Sequence, residues 1–334
     1  MEKSLYSDFF LFAMENPRIT VIINNYNYGQ FLKQAVDSVL NQSYPAHEII
    51  LVDDGSTDNS IEVALSFGDR IKFIPQQNNG QASTFNTGYY AATGDWIWFL
   101  DSDDMLTYDA LEEVSRQIRK GVSKIHGKLI MTDIRGQQLG KMAPVMPLSD
   151  GNVVDELEEN GIYTWPPTSG NVFPRDMLQT CMPIPEEKFR LCVDLYLCNH
   201  AAMKGEIVAV KKPVGYYRIH GNNNFSGFKL ESKRLKNQAL NIIATVDLLQ
   251  GLFSDKKNFQ FPYTRWNFET LLLAKRFSDY QPLGKYSYPE LYRKWLATPQ
   301  VANEKIFTKT ALKLYWWILR YMPRKAIEVI LSKK

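Results

Sequence analysis

The sequence is short of the features that membrane spans and disulfide frameworks require. In its 334 residues no apolar run approaches the ~20 residues of a spanning helix. The three cysteines, Cys181, Cys192 and Cys198, are an odd number without a Cys-x-x-Cys pair, which disfavours a disulfide framework and a thiolate zinc site. Hydrophobic residues make up 45% and charged residues 22%, a composition that excludes a disordered or collagen-like chain. We therefore expect a globular, water-soluble protein of about two domains in a reducing cytoplasm.

Charge is unevenly distributed along the chain, although the net charge is only +3. Residues 211–334 contain 23 lysines and arginines against 8 acidic residues, whereas residues 1–210 contain 16 against 28. An acidic half suits metal binding, and a basic half suits phosphates or lipid headgroups. Basic helices that merely present solvated faces would give the same count.

Short strand-like runs alternate with helical stretches between residues 19 and 104. Apolar and β-branched runs predict strands at residues 19–23, 48–52, 71–74 and 96–100. Periodicity and capping signals predict helices at residues 30–40, 57–67 and 81–92. This order predicts an α/β fold with a mostly parallel sheet covered by helices on both faces. Ligands bind such sheets at the carboxyl ends of the strands.

The ends of the sequence differ from this pattern. Segments 235–252, 268–277, 291–296 and 306–331 predict helices with basic surfaces, and the Gly- and Asn-rich stretch 222–230 predicts a domain boundary. At the other end, the short apolar stretch 9–14 lacks a cleavage-site pattern. Residues 1–17 are therefore expected to form an N-terminal extension rather than a secretory signal.

Two predicted strand ends carry acidic residues. Asp101, Asp103 and Asp104 follow the fourth predicted strand in the segment DSDD, and Asp53 follows the second. Carboxylates suit Mg²⁺ or Mn²⁺, which keep coordination positions open for water and substrate phosphates. Asp53 is suited to accept hydrogen bonds from a nucleoside. Either segment alone is also explained by helix-capping aspartates in a solvated turn.

Five segments, in order, resemble inverting family 2 glycosyltransferases of the GT-A fold. They are residues 20–27 (TVIINNYN), 39–45 (VLNQSYP), 52–58 (VDDGSTD), 78–83 (NNGQAS) and 94–104 (GDWIWFLDSDD). The agreement covers residues 18–111, and weaker matches continue to about residue 224. The resemblance implies a GT-A type, Rossmann-like catalytic domain at residues 18–225 and a basic helical region at residues 226–334. Within the domain, residues 18–111 would bind the nucleotide-sugar and residues 112–225 the acceptor.

The resemblance also implies a donor pocket at the positions that match the family motifs. Donor contacts would fall on Asn25, Tyr26, Asn27, Asp53, Gln81, Asp101 and Ser102. Asp103 would coordinate a divalent cation, Mn²⁺ or Mg²⁺, that bridges the donor diphosphate. Asp101 and Asp104 are further candidate ligands.

Asp194, in the segment FRLCVDLYL, resembles the start of the family's acid/base helix. The resemblance implies that Asp194 is the general base that takes the proton from the acceptor hydroxyl. The family's usual Glu-Asp pair is Val193-Asp194 here. An exposed helix aspartate without a catalytic task is the alternative.

Residues 165–171 resemble the family's acceptor-side loop. The acceptor-side candidates are Trp165, Ser169, Gly170 and Asn171. Trp165 either stacks on a sugar ring or packs internally.

Residues 215–223 resemble the Tyr-Arg-x-His segment that closes the catalytic domain of non-processive members. This implies that His220 binds the metal or the diphosphate and that Arg218 supports phosphate charge. A lone histidine is more often structural. The Gln-x-x-Arg-Trp signature of processive synthases is not visible, which favours transfer of one sugar per encounter.

The segment 312–322 (LKLYWWILRYM) is rich in aromatic residues and is flanked by basic ones. A helix that lies on an anionic membrane surface has such residues. A helix that docks its aromatic residues on the catalytic domain, with Pro323 bending the chain, fits equally well.

These features predict a cytoplasmic, metal-dependent inverting glycosyltransferase, free or held at the inner face of the cell membrane. The expected substrates are a nucleotide-sugar, with UDP favoured, and a hydroxyl of a saccharide or lipid-linked saccharide in cell-surface polysaccharide or glycan synthesis. Nucleic acid is not an expected partner. One alternative is an inactive nucleotide- or saccharide-binding subunit. Another is a sugar nucleotidyltransferase, which requires a glycine-rich basic loop where this chain has NNYNY.

Overall fold

The computed structural model describes residues 17–190, 192–220, 232–256, 259–278, 287–302 and 305–331. These residues form two compact units. The first contains residues 17–157 and 162–220, and the second contains residues 158–161 and those after 220. The predictions for the stretch 9–14 and for a boundary at 222–230 concern residues outside the described ones.

Four strands and three helices alternate at the start of the first unit, as the sequence predicts. The strands are β1 (Ile19–Asn25), β2 (Glu48–Asp53), β3 (Lys72–Pro75) and β4 (Trp96–Asp101). The helices between them are α1 (Gly29–Leu40), α2 (Ser60–Leu65) and α3 (Gln81–Ala91). β1 pairs in parallel with both β2 and β4, and β2 pairs in parallel with β3. The carboxyl ends of β2 and β4, which carry Asp53 and Asp101, therefore lie on either side of the end of β1.

Five further strands extend this sheet. They are β5 (Met105–Leu106), β6 (Val122–Thr132), β7 (Gln138–Ala143), β8 (Asn171–Pro174) and β9 (Glu206–Arg218). The helices along this stretch are α4 (Ala110–Ser115), α5 (Val154–Asn160), α6 (Arg175–Gln179) and α7 (Val193–Ala202).

The strand order in the sheet is β3-β2-β1-β4-β8-β6-β9-β5, with β7 paired to β6. Because β4 and β6 are both antiparallel to β8, they run in the same direction, and β9 is parallel to β6. Six of the nine strands in the described part of the chain thus share one direction. The predicted α/β class with a mostly parallel sheet is confirmed.

Apolar side chains on the sheet form the core of the first unit. Val21, Ile22 and Ile23 in β1 and Trp98 in β4 are fully buried. Each such side chain contributes roughly 1.5–3 kcal/mol when buried. A buried strand cannot slip by one residue without exposing apolar side chains, so its register is fixed. The polar residues at its carboxyl end are thereby held in place.

The second unit is helical. Its helices are α8 (Ser232–Leu252), α9 (Arg265–Phe277), α10 (Tyr288–Ala297), α11 (Pro299–Ala302), α12 (Ile306–Tyr321) and α13 (Arg324–Leu331). The segment 306–331 divides into α12 and α13 at Met322 and Pro323. Proline lacks the N–H that a helix needs and disfavours helical backbone in the residue before it, and Met322 is extended.

The aromatic residues of α12 point in two directions. Trp316 is 5% exposed, and its ring centroid lies 4.9 Å from that of Trp295 in the core of the second unit. Leu314, Trp317 and Tyr321 are 60%, 52% and 60% exposed. Their spacing of three and four residues sets them on one side of the helix, and we call them the apolar stripe. Among the described helices, none combines the length and apolar character needed to cross a bilayer.

Candidate active site

An acidic cluster lies at the carboxyl end of β4. Asp101, Asp103 and Asp104, the acidic cluster, each bring a carboxylate oxygen to within 4.8 Å of the others. Asp104 is 1% exposed. Carboxylates this close repel one another unless a proton or a cation joins them. The three aspartates predicted from the sequence are therefore brought together.

Two side-chain amides hold Asp101. Asn24 Nδ2 donates to Asp101 Oδ1 at 2.9 Å, and Gln81 Nε2 donates to the same oxygen at 3.0 Å. Asn24 is the partner of Asp101 in the register of β1 and β4, and Gln81 is the first residue of α3. Burial and the charge of Asp103 raise the pKa of Asp101 to about 7, while the two amides act in the opposite direction.

Two other elements hold Asp104. The hydroxyl of Ser169 donates to Asp104 Oδ2 at 2.6 Å, and the backbone N–H of Arg218, at the end of β9, donates to Oδ1 at 3.0 Å. Burial raises the pKa of Asp104 well above its ordinary value, and the charges of Asp103 and Asp101 add to this. The cluster is thus tied to β9 and to the residues before β8.

His220 lies against the cluster. Its Nε2 is 2.8 Å from Asp103 Oδ2, and its side chain is 4% exposed. The centroids of the Tyr28 and Phe31 rings lie 5.2 and 5.4 Å from the imidazole. The structure thus brings His220 next to Asp103, while its role as a metal ligand stays a prediction.

The guanidinium of Arg218 contacts the backbone of the cluster. Its Nε donates to the carbonyl oxygen of Asp103 at 2.9 Å. Its other two nitrogens donate to the Ile134 carbonyl at 3.0 Å and to Gln34 Oε1 at 2.6 Å. These contacts hold the acidic turn, and the predicted contact with a diphosphate stays a prediction.

A second polar group lies at the end of β2. Asn25 Nδ2 donates to Asp53 Oδ2 at 2.7 Å, and the hydroxyl of Ser56 donates to the same oxygen at 2.6 Å. Asn25 and Asp53 are partners in the register of β1 and β2. Asn27 has a φ of 58°, and its Oδ1 accepts the Thr57 N–H at 2.7 Å. Three of the residues predicted to line the donor pocket therefore meet here.

Buried polar atoms without a hydrogen-bond partner also mark this edge of the sheet. Within the described residues they include Asn24 Oδ1, Asn25 Oδ1 and Ser102 Oγ. A buried polar atom left without a partner costs about 1–3 kcal/mol. All three lie where β1 and β4 end, and Tyr26 in the same region is 47% exposed. A polar ligand at this edge would supply the missing hydrogen bonds.

Asn171 fixes residues 165–171, which we call the Trp165 loop. Its Nδ2 donates to the carbonyl oxygens of Pro166 and Pro167 at 3.1 and 3.0 Å. Its Oδ1 accepts from the Nζ of Lys124 at 3.2 Å. Asn171 is 1% exposed. Its polar atoms hold the loop, and its contact with an acceptor stays a prediction.

Ser169 and Gly170 join the Trp165 loop to the sheet. Ser169 is fully buried, and besides its bond to Asp104 its Oγ accepts the backbone N–H of Asp101 at 3.1 Å. A Cβ on Gly170 would lie 2.6 Å from the carbonyl oxygen of Gly127, so the backbones approach too closely for a side chain. Trp165 is partly exposed. The acceptor contacts predicted for these residues are untested by the fold.

Asp194 lies in the first turn of α7. The residue before the helix, Cys192, has a φ of 62°, a left-handed conformation that non-glycine residues adopt at a cost. Burial raises the pKa of Asp194, against hydrogen bonds from the Leu195 backbone and the Trp165 side chain and the charge of Lys124. The charge of Asp194 in turn adds to burial and Asp103 in raising the pKa of Asp101. The segment that leads into α7 also contacts a residue that holds the cluster, because the backbone N–H of Gln81 donates to the carbonyl oxygen of Arg190 at 3.0 Å.

Two side chains at this site carry no role in the sequence-based prediction. Asn24 stands in the same motif as Asn25, and its pairing with Asp101 follows only from the strand register. Lys124 lies in β6 with 0% exposure, and it contacts the Trp165 loop through Asn171. In the sequence, the signal for Lys124 is a lysine placed between the apolar residues Val122 and Ile125 of β6.

The donor set of the acidic cluster fits a divalent cation. It consists of hard carboxylate oxygens, and Asp101 and Asp104 have pKa values raised chiefly by burial and then by the charges within the cluster. Mg²⁺ and Mn²⁺ are bound by few carboxylates together with water and phosphate oxygens. The arrangement suits chemistry on a phosphate-bearing ligand.

Comparison with known sequences agrees with this geometry. Residues 20–140 match the sequence model of "Glycosyl transferase family 2". An uncharacterized glycosyltransferase of Nostoc sp. is 37% identical over 215 residues, which are 62% of this chain and 66% of that protein. One from Haemophilus influenzae is 40% identical over 131 residues, 38% of this chain and 52% of that protein. The chain thus covers less than two thirds of either relative.

Comparison with solved structures gives the fold. TarS of S. aureus in complex with UDP is 16% identical with a TM-score of 0.53, and the match covers 83% of this chain and 89% of that one. The mannosyltransferase PcManGT of Pyrobaculum calidifontis, in complex with GDP-Man and Mn²⁺, is 17% identical with a TM-score of 0.51, covering 95% and 84%. Both have the GT-A type of fold. Residues 20–140 therefore form a domain that matches glycosyl transferase family 2.

Proposed function

We propose that the chain transfers a sugar from a nucleotide-sugar to an acceptor hydroxyl with inversion at the anomeric carbon. The observation that carries this proposal is that the acidic cluster lies next to the segment that leads into α7. Gln81, whose side chain bonds Asp101, donates its backbone N–H to the carbonyl oxygen of Arg190 at 3.0 Å, four residues before Asp194. An inverting transfer needs a site for the leaving diphosphate and a base for the attacking hydroxyl, one on each side of the sugar. Two sets of carboxylates on different elements meet that requirement.

The donor binds at the carboxyl ends of β1, β2 and β4 in this proposal. Asn25 and Asp53 hold the nucleoside, and Gln81, Asp101 and Ser102 line the ribose and sugar side. The unpartnered Asn25 Oδ1 and Ser102 Oγ support it, because a nucleoside offers the polar atoms that they lack. UDP is the favoured nucleotide. The structural neighbours were solved with UDP, UDP-GlcNAc and GDP-Man, which supports the ligand class.

The acidic cluster would hold the divalent cation, Mn²⁺ or Mg²⁺. Asp103 is the principal ligand, with Asp101, Asp104 and His220 as further candidates. The cation would supply positive charge to the diphosphate as it leaves. Arg218 stabilises the acidic turn by donating a hydrogen bond to the carbonyl oxygen of Asp103. Its proposed contact with the diphosphate would be a second role.

Asp194 is the general base of the proposed reaction. Its position in the first turn of α7 places it near the positive end of the helix dipole, which favours the ionised form. Burial raises its pKa, which makes the carboxylate a stronger base than an exposed aspartate.

The proposal is tested by thermal unfolding with nucleoside diphosphates and nucleotide-sugars, with and without Mn²⁺. A ligand at 100 times its Kd stabilises the fold by ~2.7 kcal/mol. Asp103→Ala should abolish the Mn²⁺-dependent part of the shift. Asp194→Asn should keep the shift and lose transfer, whereas Asp150→Asn, a carboxylate bonded to the backbone N–H of Ala209 in β9, should keep both.

The outcomes separate the competing functions. Donor binding without turnover in the wild-type protein favours an inactive binding subunit. Release of pyrophosphate from a nucleoside triphosphate and a sugar phosphate identifies a nucleotidyltransferase. Normal transfer by Asp194→Asn removes that residue from the mechanism.

We further propose that the second unit rests on the inner face of the cell membrane. The apolar stripe of α12 supports this, because Trp317 and Tyr321 are half exposed and their ring centroids lie 5.4 Å apart. Lys313, on the same helix, and Lys325, in the next, are exposed. Apolar and aromatic residues beside basic ones suit an anionic lipid surface, where each basic residue adds ~1 kcal/mol. A saccharide carried on a lipid would be an accessible acceptor there.

Sedimentation with lipid vesicles tests the membrane proposal. The chain should bind vesicles that contain phosphatidylglycerol more tightly than vesicles of phosphatidylcholine alone. The double variant Trp317→Ser/Tyr321→Ser should lose this binding and keep its thermal stability, because both side chains are exposed. Unchanged vesicle binding by the double variant would show that the apolar stripe is not the contact.

A further inference from the structure

Lys124 is a buried cation at the centre of the first unit. It lies in β6 with 0% exposure, and its Nζ donates to Asn171 Oδ1 at 3.2 Å and to Cys198 Sγ at 3.4 Å. The rings of Tyr163 and Trp165 lie 4.8 and 5.9 Å from the ammonium. A buried ammonium is expensive unless charge and hydrogen bonds compensate for lost hydration. The neutral oxygen and thiol that it contacts are weak compensation for a full charge.

The carboxylate that completes this environment is Asp194. Cys198 lies four residues after Asp194 on α7, so the two side chains share one face of the helix one turn apart. Through its hydrogen bond to Cys198, Lys124 therefore contacts α7 one helical turn after Asp194. Lys124 also contacts the Trp165 loop, through its hydrogen bond to Asn171 and through the ring of Trp165, whose centroid lies 5.9 Å from the ammonium.

We propose that Lys124 is a positioning residue for Asp194, holding the Trp165 loop and placing a compensating positive charge one helical turn from the carboxylate. This inference rests on the proposed function, in which Asp194 is the general base. Replacement of Lys124 by methionine removes the charge and the hydrogen bonds and nearly keeps the volume. The Asp194 carboxylate, which is partly buried, then loses that cation, and removal of one partner of a desolvated charge pair is costly.

The titratable groups that face Asp194 come from several elements. They are Lys124 of β6, Asp101 of β4, Cys198 of α7, Tyr163 before the Trp165 loop and Tyr217 of β9. Of these, Lys124 is the basic group; burial lowers its pKa, and the charges of Cys198 and Asp194 act in the opposite direction. Coupling between Lys124 and Asp194 should therefore be favourable while both are charged, and it should vanish when acid protonates Asp194.

A double-mutant cycle on thermal unfolding tests the proposal without any substrate. Lys124→Met, Asp194→Asn and the double variant are compared with the wild-type protein at about pH 8 and about pH 5. Near pH 8, Lys124→Met should lower Tm by at least about 6 °C more in the wild-type background than in the Asp194→Asn background. This difference should shrink at the lower pH, whereas a packing effect would be the same at both. In the control cycle, Lys124→Met with Asp54→Asn should be additive.

Each result is decisive. If Lys124→Met is unfolded and the double variant folds, the rescue supports the charge pairing. If neither folds, or if the effects are additive at both pH values, the proposal is wrong. Near-normal transfer by Asp194→Asn would refute the proposed base while leaving the measured coupling intact, so the two failures are distinguishable. Where transfer is measured, Lys124→Met should move the acid limb of the pH–rate profile to higher pH, because Asp194 loses its cation.

Discussion

Ser169→Ala is the substitution that tests how the acidic cluster is held together. The Ser169 hydroxyl donates to Asp104 Oδ2 at 2.6 Å, and its oxygen accepts the Asp101 N–H at 3.1 Å. Both partners are tied to the same turn, and Ser169 is fully buried. Alanine removes both hydrogen bonds and adds no bulk, so a carboxylate oxygen and a backbone N–H lose a partner in a place that water reaches poorly.

The expected loss is about 2–4 kcal/mol of unfolding free energy. A hydrogen bond to a charged group contributes about 1.5–3 kcal/mol, and a neutral one about 0.5–1.5 kcal/mol. Asp104 keeps its bond from the Arg218 N–H, which limits the loss. For a unit of this size, Tm should fall by roughly 5–15 °C. The variant should also bind Mn²⁺ less tightly, because Asp104 loses the hydroxyl that orients it.

The matched control is Ser102→Ala. Ser102 is 1% exposed, belongs to the same turn, and has an Oγ without a hydrogen-bond partner among the described residues. Because this hydroxyl makes no hydrogen bond to the described residues in the nucleotide-free protein, its loss should leave the unfolding free energy unchanged or raise it by up to about 1–3 kcal/mol. Urea unfolding of the nucleotide-free protein, followed by circular dichroism, measures both variants. Equal stabilities of the two variants would refute the assignment of the Ser169 hydroxyl as the link between loop and cluster.

Three further outcomes follow from burial and backbone geometry. Trp316→Ala should cost about 3–5 kcal/mol and Trp317→Ala less than about 0.5 kcal/mol in urea unfolding, because only Trp316 is packed in the core. Burial lowers the pKa of His200 to about 4, so between about pH 6.5 and pH 4 the unfolded chain binds a proton that the native chain does not. Stability should therefore fall with acid by ~1.4 kcal/mol per pH unit through this residue, and pH-dependent unfolding of His200→Gln should lack that contribution. Gly80→Ala should lower Tm, because Gly80 has a φ of 94° and a Cβ there would lie 2.5 Å from Arg190 Cγ; an unchanged Tm would contradict that contact.

The strands that carry the candidate site could be predicted from the sequence because they are buried on both faces. β1 and β4 are apolar runs with β-branched or aromatic residues, and the structure extends each by one or two polar residues. Those added residues, Asn24, Asn25 and Asp101, belong to the candidate site. β8 could not be predicted, because its four residues show no periodicity, and its place between β4 and β6 depends on contacts distant in sequence.

The Trp165 loop shows why residue type alone does not give a role. Asn171 and Ser169 are polar residues beside proline and glycine, a pattern that is equally typical of an exposed binding loop. In the structure both are buried, and their polar atoms bond to backbone and to Asp104. The sequence does not reveal that the loop is covered, because its cover comes from strands and a helix that are far away along the chain. Trp316 and Trp317 make the same point, since adjacent tryptophans have opposite environments.

The positions of charge in the first unit support the proposed divalent cation. Burial and repulsion within the cluster raise the pKa values of Asp101 and Asp104. Without a cation, full ionisation of the three carboxylates is therefore unfavourable. A diphosphate adds more negative charge to the same space. Arg218 contributes its guanidinium to the Asp103 carbonyl, and Lys124 lies against the Trp165 loop and the turn after Asp194. A divalent ion among the three carboxylates would offset the negative charge of both the cluster and the ligand. We therefore expect binding of a phosphate-bearing ligand to depend on a divalent metal ion.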